Sequence, residues 1–225
     1  MPTVMPESNF NQTTAQNKLF VIGLPRTGTT SFCATMLEFG YSVAHTAYTK
    51  ACFTQAQVLA DTPIFCDYQK LASLFPHSQF VYLERPLHLW LPSIKQLLNR
   101  MYVNLTRDDG GFNPHIKRCY QTIFAPFTLE NINNDNFLSE CYLSHREGIV
   151  RFFESGEENA KPRLLTIDIA KENSMKQLAQ FLDLPLIDKA FSHLNIGGKV
   201  TAWKDIKHPL KIESTNNGRV DKHIY

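Results

Sequence analysis

The residues best suited to chemistry form one short run, Gly23-Leu24-Pro25-Arg26-Thr27-Gly28-Thr29-Thr30-Ser31, directly after the apolar stretch Leu19-Phe20-Val21-Ile22. A glycine loop leading from a strand into a helix is the usual cradle for phosphate, written G-x-x-x-x-G-K-[ST]. Gly23 and Gly28 have that spacing and Thr30 fills the Ser/Thr slot, but Thr29 stands where the lysine belongs. The cation has moved inside the loop, to Arg26. Glycine lets the backbone turn tightly and approach an anion closely. The amides of Gly28, Thr29, Thr30 and Ser31 then leave a helix N-terminus, whose dipole favours negative charge. Thr30 and Ser31 add hydroxyl donors, and Arg26 adds a fork of donors matched to phosphate. Pro25 and Thr27 complete the cradle. The expectation is a nucleotide phosphate handled by chemistry other than nucleoside triphosphate hydrolysis.

A second group stands further along. Arg85 closes the apolar run Phe80-Val81-Tyr82-Leu83, and Ser93 follows eight residues later on the next helix. Eight residues are about two helical turns, so a strand-end guanidinium and a helix hydroxyl can converge on one further phosphate. Alone the pair is unremarkable; its weight comes from the glycine loop.

These residues need a frame that brings strand ends together. Short apolar runs at 18–22, 41–44, 79–83 and 163–167 read as buried strands. Helical text lies between them, at 29–39 ending on Gly40, at 49–60, 67–75, from Pro86 to about 103, 136–154 and 171–182. Strands alternating with helices predict an α/β fold, three-layered, with a central parallel sheet flanked by helices. Ligands in such sheets gather at the carboxyl ends of the strands. The expected organisation is a flexible tail at 1–17, one domain at 18–203 and a polar C-terminal extension at 204–225. An aromatic-rich segment at about 95–160 interrupts the rhythm, with Tyr102, Phe112, Tyr120, Phe124 and Phe127 as candidates for an acceptor pocket.

Bulk composition bounds the rest. The chain has 225 residues, 43% hydrophobic, with a net charge of +2. That supports a real core and argues against a broad nucleic-acid or membrane surface. Five scattered cysteines, with no C-x-x-C, read as buried free thiols of a reducing compartment. No leader or apolar span is visible, so a cytoplasmic location is expected.

The loop Gly-Leu-Pro-Arg-Thr-Gly-Thr-Thr-Ser, with Phe80-Val81-Tyr82-Leu83-Glu84-Arg85 and then Trp90 and Ser93, resembles the sulfotransferases that use 3′-phosphoadenosine 5′-phosphosulfate (PAPS). It resembles in particular the branch with this loop, found in bacteria and some eukaryotes. Asp61-x-Pro63 before a third strand, His145 on a long helix, Arg163-Leu164-Leu165 and Phe181-Leu182 fit that branch too. The resemblance implies a fold related to the nucleotide kinases. It implies that the first loop holds the 5′-phosphosulfate and that Arg85 and Ser93 hold the 3′-phosphate. The Arg-Lys-Gly loop of the cytosolic branch is missing; Gly197-Gly198-Lys199 is the nearest substitute, with Lys199 as the cation.

The implied reaction moves a sulfuryl group to a hydroxyl or amine of a small-molecule or carbohydrate acceptor, leaving adenosine 3′,5′-bisphosphate (PAP). Arg26, Thr29 and Thr30 would stabilise the leaving oxygen, and no metal is expected. An acceptor hydroxyl needs a base. His45, after the second strand, is the first candidate; Asp61 and Asp67 are the alternatives. His115 ranks lower, as does His145, which reads equally as a helix-surface residue. Two other readings stay open. One is a P-loop kinase, supported by Asp168 at the end of the run 164–167; the other is an inactive nucleotide-binding protein.

Overall fold

The structure, a computed structural model, describes residues 17–154, 162–185, 189–191, 194 and 203–225. Five strands form one all-parallel sheet: β1 (Leu19–Val21), β2 (Val43–His45), β3 (Val58–Ala60), β4 (Gln79–Leu83) and β5 (Leu164–Ile167), in the order β2-β3-β1-β4-β5. Helices cover both faces, giving a three-layer α/β fold. The strands are short and buried on both sides, as parallel strands under helices must be. Leu19 and Val21 of β1 face one apolar layer and Phe20 and Ile22 the other.

The first layer is completed by α1 (Thr29–Glu38) and α7 (Ser174–Phe181), through Phe32, Met36, Met175 and Leu178. The second is built by α2 (Lys50–Gln55), α3 (Tyr68–Leu74) and the end of α6 (Asp135–Glu154), through Phe53, Leu71 and Ile149. A third apolar cluster forms a helical lobe from α4 (Leu87–Thr106), α5 (Pro114–Ile123) and α6. Leu24 and Phe65 enter this lobe from the carboxyl ends of the strands. The lobe therefore sits over the sheet edge where ligands gather in such folds.

One element departs from the sequence expectation. Residues 58–60 are not the end of a helix but the strand β3, paired with β1 on one side and β2 on the other. Three residues are too few to show a period. Val58-Leu59-Ala60 is apolar throughout because it is buried on both faces. Asp61 thus follows the third strand instead of preceding it. The registers Val21↔Ala60 and His45↔Ala60 bring His45 and Asp61 to the level of the glycine loop.

The C-terminal residues close the open edge of β2. Val43 donates to the carbonyl of Leu210 at 2.9 Å, and Ile212 donates to the carbonyl of Val43 at 2.8 Å. Ile224 is buried in the second layer, and Tyr225 packs edge-on against Phe53 with ring centroids 4.8 Å apart. Truncating a buried isoleucine costs about 2–5 kcal/mol. Ile224→Ala is therefore expected to lower the urea unfolding free energy by that amount; an unchanged midpoint would mean the segment is not docked.

Candidate functional site

The glycine loop is fixed from three sides. Thr27 donates from both its amide and its hydroxyl to the carbonyl of Leu24, at 3.3 and 2.7 Å. The buried indole of Trp90 donates to the carbonyl of Pro25 at 2.9 Å, and a guanidinium nitrogen of Arg85 donates to the carbonyl of Arg26 at 2.9 Å. With the carbonyls of Leu24, Pro25 and Arg26 bound to protein, the loop leads into the start of α1, whose first amides have no partner within the helix and whose residues 29–31 line the cavity. Both glycines are required by geometry. A Cβ on Gly23 would lie 2.8 Å from the Leu83 carbonyl oxygen. Gly28 caps α1 at φ 105° and abuts Ile169.

Arg85 is held in turn. Its backbone amide donates to the Tyr142 hydroxyl at 2.9 Å, and that hydroxyl donates back to the Arg85 carbonyl at 3.1 Å. The Tyr142 ring packs on Trp90 with centroids 4.8 Å apart. One aromatic pair from α4 and α6 thereby positions both loops.

The two groups separated in sequence meet in one cavity of about 900 Å³, lined by residues 25–31, His45, Asp61, Arg85 and Ser93 among others. Arg26 Nε donates to Ser93 Oγ at 2.8 Å. Arg100, which the sequence reading did not single out, lines the same cavity. Its signal was its place seven residues after Ser93 on α4, two turns along the same face. Burial depresses the Arg26 pKa, and the positive charges of Arg85 and Arg100 depress it further. Among the described residues none of these three guanidiniums is paired with a carboxylate. Among the described residues the cavity thus gathers three arginines that make no ion pair.

His45 is buried at the end of β2 with Nε2 3.2 Å from the Thr29 hydroxyl and 3.1 Å from that of Thr30. Its Nδ1 lies 3.7 Å from an Asp61 carboxylate oxygen. Burial lowers the His45 pKa, the Asp61 charge opposes that shift, and Lys211 adds to it. Asp61 is itself tied down: its other oxygen accepts from the Thr62 amide at 2.8 Å and the Thr62 hydroxyl at 3.2 Å. Arg26, Thr46 and Asp61 all adopt left-handed backbone angles, φ 74°, 76° and 65°. Such angles in residues with a Cβ cost free energy and cluster at functional sites.

The remaining candidates divide between the cavity and other parts of the fold. Asp67 forms a two-pronged ion pair with Arg118, at 2.5 and 2.8 Å, and accepts from the Tyr225 hydroxyl. His115 bonds the carbonyl of Asp221 at 2.7 Å. His145 is not a surface residue: it is buried beneath the lobe and bonds the carbonyl of Phe65 at 2.8 Å, so Nε2 carries its proton. Of the five aromatics, Tyr120 lines the cavity, Phe124 is lobe core, and Tyr102, Phe112 and Phe127 pack against that core. Asp168 lines the cavity, with one carboxylate oxygen accepting from the Ala170 amide at 3.0 Å. Lys199 lies outside the described residues. All five cysteines are free, with Cys33, Cys52 and Cys119 buried. Among the described residues no helix is long and apolar enough to cross a membrane, and no cluster of three metal-ligating side chains occurs.

A parallel α/β sheet carries a glycine loop at its carboxyl edge, beside a cavity lined by three arginines. The model of the sulfotransferase domain family matches residues 18–200, and the chain belongs to that family. Among curated proteins no sequence matches it.

Two buried histidines make stability depend on pH. Burial pushes His145 down to about 4, and His45 also lies below 6.5. Between pH 6.5 and 4 the unfolded chain takes up protons that the folded state refuses, so stability falls as pH falls through that window. His145 alone accounts for roughly 3 kcal/mol by pH 4. Urea titrations from pH 7 to 4.5 are expected to show this loss, with a shallower slope in His145→Asn; an identical slope would contradict the assignment.

Proposed function

We propose that the chain transfers a sulfuryl group from PAPS to a hydroxyl or amine of a small-molecule or carbohydrate acceptor. The observation that carries this reading is the set of three guanidiniums, without an ion-pair partner among the described residues, beside a glycine-capped helix N-terminus in one cavity large enough for a nucleotide. Membership of the sulfotransferase family supports it. The donor supplies an activated sulfuryl group on a phosphate leaving group. Arg26, the α1 amides and the hydroxyls of Thr29, Thr30 and Ser31 would hold its phosphosulfate end. Arg85 and Ser93, with Arg100 beside them, would hold the 3′-phosphate.

His45 is the base in this reading. At neutral pH its lowered pKa leaves the imidazole uncharged, so Nε2 can accept the acceptor's proton. Nε2 already faces the two threonine hydroxyls of the cradle. Asp61, near Nδ1, would stabilise the imidazolium that forms. Thr29 supports this arrangement: it occupies the usual lysine slot and turns its hydroxyl to His45.

Binding and chemistry can be tested apart. PAP at a hundredfold excess over its Kd is expected to raise Tm by about 5–10 °C, with ATP giving a smaller shift. No shift with saturating PAP, or magnesium-dependent ATP turnover, would count for a kinase-like or inactive protein instead. His45→Ala is expected to lower turnover of labelled PAPS by about 10²–10⁴-fold while leaving PAP affinity within a few-fold. Turnover at the wild-type rate would exclude His45 as the base.

A further inference from the structure

The family match stops at residue 200, yet the segment beyond it reaches the cavity. Trp203 opens a short 3-10 turn, Trp203–Asp205. Its indole lies over the His45 imidazole, with ring centroids 5.4 Å apart and planes 25° from parallel, and it lines the cavity wall.

Lys211 anchors this arrangement. Its ammonium donates to the carbonyls of Trp203 at 2.8 Å and Ile206 at 2.9 Å, and sits 5.3 Å from the centre of the Trp203 ring. Its backbone meets Val43 in a parallel bridge at the edge of β2. Val43 lies two residues before His45 on the same strand. One lysine therefore ties the turn, the indole and the strand of the histidine together.

The stacking supplies a restraint that the other contacts lack. Rotation of an imidazole about its last side-chain torsion is broad unless neighbours restrict it. The Asp61 contact, at 3.7 Å, is too long for a firm hydrogen bond. The two threonines meet only the Nε2 edge. An aromatic ring laid on the face fixes the plane through its area and its preferred offset geometry. The charged or titratable groups facing His45 are Asp61, at the end of β3, and Lys211, on the C-terminal segment.

We propose that Trp203, held by Lys211, is a positioning residue that clamps the His45 ring with Nε2 toward the Thr29–Thr30 end of the cradle. The segment after the family-defined domain is then a working part of the site. This rests on His45 being the base.

The contact can be read without any ligand. The protein has two tryptophans, and Trp90 is fully buried in the lobe. The emission of the wild type minus that of Trp203→Phe reports Trp203. A protonated imidazole stacked on an indole quenches it. The Trp203 signal is therefore expected to fall as pH drops below 6.5, the ordinary histidine value that burial moves down, and to stay flat in His45→Gln. A fall that persists in His45→Gln, or no fall in the wild type, overturns the contact.

Turnover of sulfur-35-labelled PAPS with a mixed pool of phenols, alcohols and amines then tests the role. Trp203→Ala is expected to lower turnover by about 10–100-fold, the cost of a misplaced catalytic group, with PAP affinity within about twofold. Trp203→Phe, which keeps a flat ring, is expected to recover most of the loss. Trp203→Leu is carried beside the alanine variant in case that one does not fold, and should behave like it. Wild-type turnover in Trp203→Ala or Trp203→Leu, or no recovery in Trp203→Phe, overturns the positioning role. If the wild type itself binds no PAP, the donor reading fails, while the emission measurement still decides the contact.

Discussion

Three guanidiniums share a cavity in which, among the described residues, none of them is paired with a carboxylate, and the structure around the site is organised to tolerate this. Like charges gathered in one partly buried cavity repel one another, against a folded state that is only marginally stable. Acidic side chains would relieve the repulsion, yet Asp61 and Asp168, the carboxylates lining the cavity, are turned to Thr62 and Ala170. Two of the arginines are instead held by neutral partners. Arg26 donates to Ser93, and Arg85 donates to the Arg26 carbonyl while its own backbone is gripped by Tyr142. An arrangement of this kind gives up stability in the empty state and recovers it when a polyanion arrives.

The same trade is visible in the backbone. Of the left-handed residues, Thr46 and Asp61 directly follow β2 and β3, and Arg26 lies in the loop after β1. A β-branched residue such as Thr46 adopts that region only when its surroundings insist. Here they do: the Thr46 amide donates to the carbonyl of Ala60 at 2.8 Å, and the next amide, of Ala47, donates to that of Thr62 at 2.9 Å. These bonds join the turns after β2 and β3, which is how His45 and Asp61 come to face each other. Sheet register sets their height and turn strain sets their direction.

Much of this was legible because local sequence and local structure agree. The loop 23–31 needs only its neighbours: an apolar run before it, glycines at the two points where a Cβ would clash or φ is positive, and hydroxyls on the next helix. Arg85 and Ser93 were readable for the same reason, a strand end and a helix face eight residues apart. What escaped depends on long-range pairing. The strand β3 has three residues and no period, so nothing local separates it from the helix before it. The place of Asp61 was misread with it. A surface position for His145 stayed open because its helix is polar there, but the residue is buried. Trp203 meets His45 only because residues 210–212 pair with the edge of β2, a contact between positions more than 150 residues apart.

Thr29 ties these strands of argument together. In a loop that serves triphosphate chemistry, the lysine at this position supplies charge to the transferring phosphoryl group. Here the slot is buried and directed at Nε2 of a histidine that burial keeps uncharged. An ammonium in its place would bring a further positive charge to a cavity already holding three, and would oppose the proton that a basic histidine must accept. A hydroxyl adds no charge and still donates a hydrogen bond. On the proposed reading the departure from the usual loop and the presence of His45 are one feature: moving the cation to Arg26 frees the helix start for a neutral base, and a sulfuryl group, carrying less charge than a phosphoryl group, has less need of the cation that was moved.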